Sequence, residues 1–501
     1  MTDHAELSVE AVRRTDANDH PLRPDGNYVL YWMIASRRTR WNHALQHAVD
    51  RAADFGKPLI VFEPIRIRYD HASDRIHHFV CEGMRSNAGD CAGKNVTYYP
   101  YVEPAPGRGT PLLHRLAKNA CTVVTDEYPC FFIPHMIQAV RDRIPARLEL
   151  VDSNGVLPLR WADRTFTVAH SYRRAMQKVV MDHITEPPRE SPLDDDRLPP
   201  PVPVPDEILR RWPAADLDAL IDGDAMKSLP IDHTVPPSPT LRGGGNAASI
   251  QLRKFLDGKL DAYNADRNHP DEVATTTLSP HLHFGHISAH EVVAATLDRV
   301  GWDPSKVGKV NGKINGFWNA GESAEGLLDQ LLTWREMGFN LSFREPDQYD
   351  RYQSLPEWAR NSLEAAEADE REYTYCLEDF EYCRTHDELW NAAQAELVRT
   401  GIMHNYMRML WGKKILHWTA TPKEALRVML HLNNKYALDG RDPNSYSGIF
   451  WVLGRYDRAW GPKRKIFGSV RYMTSDSTRK KLRLRKYLQR YGERSAKWDG
   501  T

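Results

Sequence analysis

Short apolar runs alternate with amphipathic segments through the first third of the chain. Helical spacing covers Arg40–Phe55, Pro111–Lys118 and Pro134–Arg143. The apolar runs between them have strand length and occupy Asn27–Met33, Pro58–Phe62, Val96–Val102, Cys121–Thr125 and Leu148–Val151. Strands that are apolar throughout and alternate with helices predict a parallel, Rossmann-like sheet with helices on both faces. No GxGxxG motif follows the first strand and no P-loop is present, so the usual Rossmann mode of nucleotide binding is not indicated.

A proline-rich, acidic segment then interrupts the pattern. Glu186–Pro205 (EPPRESPLDDDRLPPPVPVP) is unsuited to a helix interior or a central strand, and it predicts an extended linker. From Ala247 onward the spacing is almost entirely helical. Helix-start signals occur at Ser288-x-x-Glu291, Thr385-x-x-Glu388 and Thr421-Pro422-x-Glu424. We therefore expect an α/β domain over residues 25–180, a linker over 181–245 and an all-α domain over 246–495.

Composition narrows the class of protein. The 501 residues carry 67 Lys and Arg against 67 Asp and Glu, so the chain as a whole is not a polycation. Six cysteines without a CxxC pair exclude a disulfide scaffold and a zinc ribbon, and we expect no metal. No apolar run approaches the ~18 residues of a membrane span, and the amino terminus has no signal-peptide core. The sequence predicts a cytoplasmic protein.

The segment Met403–Trp418 (MHNYMRMLWGKKILHW) is the most informative for chemistry. If it is helical, His404, Arg408, Trp411, Ile415 and Trp418 share one face. An arginine on a buried face needs an anionic partner. Spacing alone leaves two interpretations open. In the first, the face is core packing around a structural ion pair. In the second, Arg408 holds an anion beside a row of indoles. Trp390, on the preceding helix, would extend that row.

Two further segments are rich in turn formers and hydroxyls. Asp439–Asn444 (DGRDPN) is either a surface turn or a loop whose carboxylate meets Arg408 and whose backbone lies against a flat ligand. Thr275–Ser279 precedes a helix, and its hydroxyls and free N–H groups suit a phosphate, although threonine-rich loops are also common without one.

Aromatic and basic residues adjoin near the carboxyl terminus. Phe450–Trp460 (FWVLGRYDRAW) is either a hydrophobic corner or a loop that contacts unstacked bases and phosphates. Residues 463–497 then carry thirteen Lys and Arg against two acidic residues. This run is either a solvated tail or a footprint for a phosphate backbone, and the adjoining aromatic loop favours the footprint.

At these segments the chain resembles the photolyase/cryptochrome flavoproteins, and most closely the class II cyclobutane pyrimidine dimer photolyases. The resemblance runs from about Asn27 to Tyr487. It is carried by YVLYWMIASRRTRWNHAL (28–45), VDSNGVLP (151–158), TLSPHLHFGHIS (277–288), HDELWNAAQAELVRTGIMHNYMRMLWGKKILHWT (386–419), LNNKYALDGRDPNSYSGI (432–449) and DRAWG (457–461).

The resemblance implies a helical domain that binds FAD in a bent conformation. Arg408 and Asp439 would pair beside the flavin ring, and Asn433 would face its N5 atom and favour the reduced form. Trp411, Trp390 and Trp418 would pass electrons to photo-oxidised flavin, with Tyr375 nearby. The cofactor-binding residues implied by the resemblance are Tyr263, Thr275, Thr276, Thr277, Leu278, Ser279, Arg408, Asn433, Asp439 and Asp442.

The resemblance also implies a partner and a reaction. UV-damaged DNA would bind with a flipped thymine dimer against Trp334, Trp451, Arg458 and Trp460. Excited reduced FAD would give the dimer an electron, the cyclobutane ring would split, and the electron would return. The antenna chromophore stays open between a deazaflavin, a folate and none. We expect a monomer.

Gln330 is a departure from the family pattern that keeps alternatives open. In the segment Gln330–Glu336 (QLLTWRE) a glutamine stands where the family's cyclobutane-dimer enzymes carry a glutamate. It can donate a hydrogen bond to a pyrimidine carbonyl but cannot supply a proton, and (6-4) photolyases resemble this chain in that respect. The alternatives are therefore a (6-4) photolyase and a cryptochrome-like blue-light sensor.

Overall fold

The amino-terminal strands form one six-stranded sheet in the computed structural model, which describes residues 8–492. The strands are β1 Arg14–Asp16, β2 Tyr28–Trp32, β3 Leu59–Ile65, β4 Thr97–Val102, β5 Ala120–Asp126 and β6 Leu148–Val151. Their order is β1-β6-β5-β2-β3-β4, with β1 antiparallel to β6 and the other pairs parallel. The five predicted strands are confirmed. β1 was not predicted, because its sequence RTD contains no apolar residue.

Helices cover both faces of this sheet, as predicted. They are α1 His43–Phe55, α2 Asp74–Cys91, α3 Gly109–Lys118 and α4 Ile133–Arg141. Alternate residues of a strand point to opposite faces. Leu30 accordingly packs in one apolar cluster and Val29 in another. Asn42 caps α1 by accepting hydrogen bonds from the N–H groups of Ala44 and Leu45.

The segment predicted to be an extended linker lies against the α/β sheet. Leu193 and Leu198 pack in the cluster on one face, and Val204 and Trp212 in the cluster on the other. Helices in this region are short: α5 Ala169–Met176, α6 Val180–Thr185, α7 Asp206–Arg211 and α8 Leu217–Ile221. Apolar residues of α5 and α6 share a cluster with the carboxy-terminal helices, so hydrophobic packing crosses residue 180. The division of the chain at 180 and 245 stays a prediction.

The rest of the described chain is helical, as predicted. The helices are α9 Gly245–Gly258, α10 Tyr263–Asp266, α11 Ser279–His283, α12 Ala289–Arg299, α13 Glu322–Asp329, a π-helix at Gln330–Arg335, α14 Glu336–Arg344, α15 Glu357–Ala365, α16 Leu377–Glu381, α17 Glu388–Thr400, α18 Asn405–Trp418, α19 Pro422–Tyr436, α20 Pro443–Val452, α21 Ser475–Lys481 and α22 Arg485–Tyr491. None of the helices between residues 8 and 492 combines the length and apolarity needed to cross a membrane.

Two of the three predicted helix starts are confirmed and one is wrong. Ser288 accepts a hydrogen bond from the N–H of His290, and Thr421 accepts one from the N–H of Glu424. Helix α17 is capped by Asp387 instead of Thr385. The hydroxyl of Thr385 is engaged elsewhere, because it donates to Asn391 over 2.7 Å.

Candidate active site

A cavity of about 550 Å³ opens within the helical region. Its volume is that of a cofactor or ligand site. Of the residues implied to bind the cofactor, the following line it: Tyr263, Thr275, Thr276, Thr277, Leu278, Ser279, Arg408, Asp439 and Asp442. Gln330, Trp334 and Trp451 line the same cavity. Thus nine of the ten residues implied for the cofactor share one space with Gln330 and with two of the four residues implied for the lesion.

Arg408 and Asp439 form an ion pair at the wall of this cavity. A guanidinium nitrogen of Arg408, on α18, lies 2.9 Å from Asp439 Oδ1, in the turn after α19. Arg408 also donates to Asn433 Oδ1 over 3.0 Å, and the Asn433 amide donates to Ser445 Oγ over 2.8 Å. Asn433 is 2% exposed and is not among the lining residues. It lies behind Arg408 and Ser445, so its contact with a flavin stays a prediction.

Asp442 joins the cavity to the α/β domain. Its carboxylate caps α20 by accepting from the N–H of Asn444, and it accepts a hydrogen bond from the Tyr128 hydroxyl over 3.2 Å. Its Oδ2 lies 3.3 Å from His283 Nδ1. Burial acts to raise the pKa of Asp442, but His283 and the positive charge of Arg335 outweigh burial and hold that pKa below its usual range. The carboxylate is therefore kept charged at the cavity wall.

The threonine loop lines another part of the cavity wall. Thr277 has a left-handed backbone, with φ of 53°, and Gln251 holds the loop by donating to Thr276 O over 3.1 Å and to Thr277 Oγ1 over 2.7 Å. The Tyr263 ring lies beside the loop, with the guanidinium of Arg267 5.6 Å from its centroid. Hydroxyls and a cation at one wall suit an anionic group.

Gln330 and Trp334 lie on the π-helical turn Gln330–Arg335. π-helical turns inside α-helices are frequent at functional sites. The Trp334 indole donates to Asp329 Oδ2 over 3.1 Å, and Asp329 in turn pairs with Arg173 at 2.7 Å. The side chain of Gln330 makes no hydrogen bond to any residue between 8 and 492, so its amide is available to a ligand in the cavity.

Trp451 is linked to the protein surface through Arg471. The guanidinium of Arg471 lies 5.4 Å from the ring centroid of Trp451 and 4.2 Å from that of Trp460. Asp457 holds Arg471 in an ion pair at 2.8 Å and accepts a hydrogen bond from the Trp460 indole at 3.1 Å. Arg458 lies over the outer ring, 4.9 Å from the Trp460 centroid. Trp460 is 36% exposed, and neither it nor Arg458 lines the cavity.

Exposed basic residues continue from this aromatic rim. Residues 464 and 468 exchange backbone hydrogen bonds of 2.9 and 2.8 Å, and the buried Phe467 anchors the resulting loop. Lys463, Arg464 and Lys465 are exposed on it. Further along, Arg479 and Arg483 are paired with acidic residues. Arg494 and Lys497, also part of the predicted basic segment, lie outside the described residues.

Three indoles form a buried row behind the cavity. Trp411, Trp390 and Trp418 are among the largest fully buried side chains. The Trp390 indole donates to the backbone oxygen of Trp411 over 3.0 Å, and the Trp390 and Trp418 ring centroids are 6.0 Å apart. The Trp411 indole donates to Gln394 Oε1 over 2.8 Å. Helix α18 thus carries Arg408 at the cavity and Trp418 at the far end of the row, on the face that helical spacing predicts.

The far end of the row reaches partly exposed aromatic residues. The ring of Tyr375 lies 5.6 Å from that of Trp418, and its hydroxyl lies 2.7 Å from His386 Nδ1. The exposed Tyr373 stacks on His386, with centroids 3.8 Å apart. The row therefore spans the distance from the cavity to the surface.

Several residues of the site were not predicted from the sequence. Glu396 lines the cavity and accepts hydrogen bonds from the N–H of His404 and the hydroxyl of Tyr487, at 3.0 and 2.7 Å. Gln394 is four residues after Trp390, so helical spacing was a usable signal for it. Arg471 was counted only as part of a basic segment.

His404 and Tyr456 add an imidazole and a phenol hydroxyl to the cavity wall. Burial lowers the pKa of His404 to about 4, so its ring is neutral near pH 7. Both groups are able to form hydrogen bonds with a polar ligand. Among residues 8–492, no cluster of side chains has the composition of a metal site.

Two known proteins that are similar to this chain over most of its length have the same name. The deoxyribodipyrimidine photo-lyase of Methanothermobacter thermautotrophicus is 33% identical over 485 residues, covering 97% of this chain and 98% of its own. The enzyme of the same name from Oryza sativa subsp. japonica is 33% identical over 477 residues, covering 92% and 87%. No family model matches the sequence.

The fold of this chain is also similar to that of a solved structure. The crystal structure of a Synechocystis sp. PCC6803 cryptochrome superposes with a TM-score of 0.66 at 14% identity, covering 93% of this chain and 88% of that one. Together with the identity to curated relatives over nearly the whole length, this establishes the ancestry. The chain belongs to the photolyase/cryptochrome family.

Proposed function

We propose that this protein is a deoxyribodipyrimidine photo-lyase, a carbon–carbon lyase that uses blue light to split cyclobutane pyrimidine dimers in DNA. The observation that carries the proposal is the single cavity shared by the Arg408–Asp439 ion pair and by Gln330, Trp334 and Trp451. The resemblance of its segments to those of the class II enzymes supports that class within the family.

The cavity fits FAD, the cofactor that the family binds. A phenol hydroxyl, an imidazole, a threonine loop and a guanidinium–carboxylate pair provide the mixed donors and acceptors that a dinucleotide needs. Tyr263, Thr275–Ser279, Arg408, Asp439 and Asp442 would hold it, with Asn433 supporting Arg408 from behind. When bound in its reduced form, FAD supplies the light-excited electron that opens the cyclobutane ring.

The lesion is held by the cavity's aromatic side chains. Trp334 and Trp451 offer flat faces on which the two pyrimidines stack, because every base has a π-face. Asp329 fixes the Trp334 ring through its indole N–H. The free amide of Gln330 donates a hydrogen bond to a pyrimidine carbonyl and stabilises the negative charge that develops there.

The surface beside the cavity binds the damaged strand. Flipping a dimer out of the duplex costs a few kcal/mol, less than for a normal base because the lesion stacks poorly. Trp460 and Arg458 at the rim occupy the space that the dimer leaves. Lys463, Arg464 and Lys465 neutralise phosphates, and the release of counterions offsets the cost of flipping.

The buried indoles serve a separate step, the supply of electrons that keeps the cofactor reduced. The Trp390 indole contacts the backbone of Trp411, and the Trp390 and Trp418 ring centroids are 6.0 Å apart, so an electron would move from Trp418 through Trp390 to Trp411. Burial excludes water along the row, and the outer indole meets Tyr375 near the surface. Repair by enzyme that is already reduced does not need this row.

The antenna chromophore stays open between a deazaflavin, a folate and none. A second, apolar cleft lies at the carboxyl ends of the parallel strands, where α/β sheets bind ligands, and its volume of about 90 Å³ would have to increase to admit either chromophore. Tyr69, Phe131 and Phe132 line it, with Arg37 and Arg66 as its cations. Tyr128 lines this cleft and donates a hydrogen bond to Asp442, which lines the larger cavity. The cleft and the cavity are therefore connected through this pair. An absorption band in the purified protein beyond that of the flavin tests this assignment.

One assay distinguishes the proposed function from its alternatives. Reduced protein is incubated under blue light with oligonucleotides that contain either a cyclobutane dimer or a (6-4) product, and each restored base is measured. Restoration from the cyclobutane dimer alone is expected. Restoration from the (6-4) product alone would assign the other lesion, for which Gln330 is the specific argument. Restoration of neither, with normal photoreduction of the flavin, would indicate a light sensor.

A further inference from the structure

Lys413 is a fully buried lysine that the proposed reaction does not use. It lies on α18 and is 0% exposed. Its ammonium group donates to the carbonyl oxygen of Val452 over 2.5 Å, and no ion pair joins it to a carboxylate among residues 8–492. Burying an ammonium group without an anionic partner is costly. Such a residue is expected to have a role other than packing.

The position of Lys413 connects the helix of the cofactor site with the lesion pocket. Its Nζ lies 5.4 Å from the ring centroid of Trp451. The guanidinium carbon of the partly exposed Arg471 also lies 5.4 Å from that centroid. Helices α18 and α20 are in close contact here, because a Cβ atom on Gly412 would come within 2.7 Å of Val452 Cγ2. Glycine at 412 thus lets the lysine reach the indole.

The charge on Lys413 is poised to change near neutral pH. Burial lowers the pKa of Lys413 to about 7, the carboxylate of Asp457 opposes that effect, and Arg471 adds to it. A lysine attracts the face of an indole only when it is protonated. The attraction between Lys413 and Trp451 is therefore present below about pH 7 and is lost as the pH rises.

We propose that Lys413 is a positioning residue for the lesion pocket: its ammonium group fixes the Trp451 indole, and through Val452 the end of α20, in the orientation against which the flipped dimer stacks. The proposal rests on the proposed function for the identity of the lesion. The contact of Lys413 with Trp451 is observed in the structure and does not depend on which lesion is bound.

The direct test compares Lys413→Met with Lys423→Met. Lys423 is an exposed lysine that also lies over an aromatic ring, 5.8 Å from the Tyr352 centroid, and serves as the matched control. We expect Lys413→Met to raise the Kd for a dimer-containing duplex about tenfold. Flavin content, photoreduction and the Kd for undamaged duplex should stay within twofold. Lys423→Met should change none of these.

Two results with Lys413→Met would each overturn the proposal. One is an unchanged Kd for the dimer in Lys413→Met. The other is a loss of flavin content and photoreduction as large as the loss of dimer affinity, which would indicate a structural role alone. Lys413→Arg, which keeps a cation at this position, should bind the dimer at least threefold more tightly than Lys413→Met. Equal affinity of the two variants would also contradict the proposal.

A pH profile separates this proposal from the proposed function. In the native protein the dimer Kd should rise severalfold between pH 6 and 8, and in Lys413→Met it should not. If the native protein binds no dimer, the proposed function fails. In that case the test of Lys413 uses the fluorescence of Trp451, which is the spectrum of the native protein minus that of Trp451→Phe. It should titrate near pH 7 in the native protein but not in Lys413→Met, and the absence of that titration would overturn the role of Lys413.

Discussion

The indole nitrogen of Trp390 donates a hydrogen bond to the backbone oxygen of Trp411, 3.0 Å away, across the interface between α17 and α18. This bond fixes the middle indole of the buried row relative to the helix that also carries Arg408. Arg408, Trp411 and Trp418 lie on α18, and Trp390 contacts that helix from α17. The lesion pocket is lined from other helices, by Trp334 and Trp451, so damage to the row should be separable from damage to that pocket.

Trp411→Phe should block photoreduction of oxidised flavin and leave repair by pre-reduced enzyme within about twofold of the native rate. Phenylalanine fills most of the volume but cannot supply an electron under these conditions. Photoreduction is followed by the loss of flavin absorbance under blue light. Trp212→Phe, a buried tryptophan of the α/β region, is the matched control and should photoreduce normally. Equal loss of photoreduction and repair in Trp411→Phe would mean that the row is structural.

Arg408→Lys should lower the flavin content of the purified protein at least tenfold, although it retains the positive charge. The native guanidinium contacts Asp439 and Asn433 together, and an ammonium group lacks that planar fork. Flavin content is measured from the ratio of visible to ultraviolet absorbance. A native ratio in the variant would show that the Arg408–Asp439 pair does not shape the cofactor site.

Gln330→Glu tests the departure from the family pattern. A carboxylic acid at this position adds a proton donor beside the pyrimidine, so we expect the quantum yield of dimer repair to rise. The comparison uses pre-reduced native and variant proteins on the same oligonucleotide, with flavin content as the control for folding. An unchanged yield would show that residue 330 does not limit repair.

Replacing Lys463, Arg464 and Lys465 by alanine should weaken binding to damaged and undamaged DNA alike. The slope of log Kd against log salt concentration should fall by about one for each phosphate contact removed. The control replaces Lys94 and Lys227, exposed lysines on other parts of the surface. A triple variant with the native salt slope would place the DNA elsewhere.

Glu396→Gln should change the pH dependence of stability. Burial raises the pKa of Glu396 to about 7, although the N–H of His404 and the hydroxyl of Tyr487 oppose that shift. A carboxyl whose pKa is raised by folding binds its proton more tightly in the fold, so its contribution to stability falls as pH rises from about 4.5 to 7. The gain in Tm of Glu396→Gln over the native protein should therefore be larger at pH 8 than at pH 5. A pH-independent difference would contradict this reasoning.

The α/β sheet was predictable because its strands are apolar throughout and their order along the chain alternates with helices. β1 was missed because a polar edge strand of three residues has no hydrophobic pattern. The packing of Leu193 and Leu198 was also missed, since two leucines in a proline-rich acidic segment give no periodicity. The prolines of this segment exclude the interior of an α-helix and a central strand, and its helical structure is the 3-10 turn Pro192–Asp194. They carry no information about what the segment covers.

The candidate site was predictable where it follows helical spacing and where the resemblance supplied residues. Arg408, Trp411 and Trp418 share a face as expected. Asp329 and Trp334 were not expected to meet, because they are five residues apart and only the π-helical turn aligns them. The cation over Trp451 likewise depends on a contact between two helices that no local pattern encodes.

Binding of FAD in the cavity around Arg408 is measured by adding FAD to the purified protein and washing away the excess. The visible absorption spectrum of the washed protein should show a flavin band, close to one FAD per chain, which decreases under blue light in the presence of a reductant. A colourless protein that takes up no FAD would contradict the whole account.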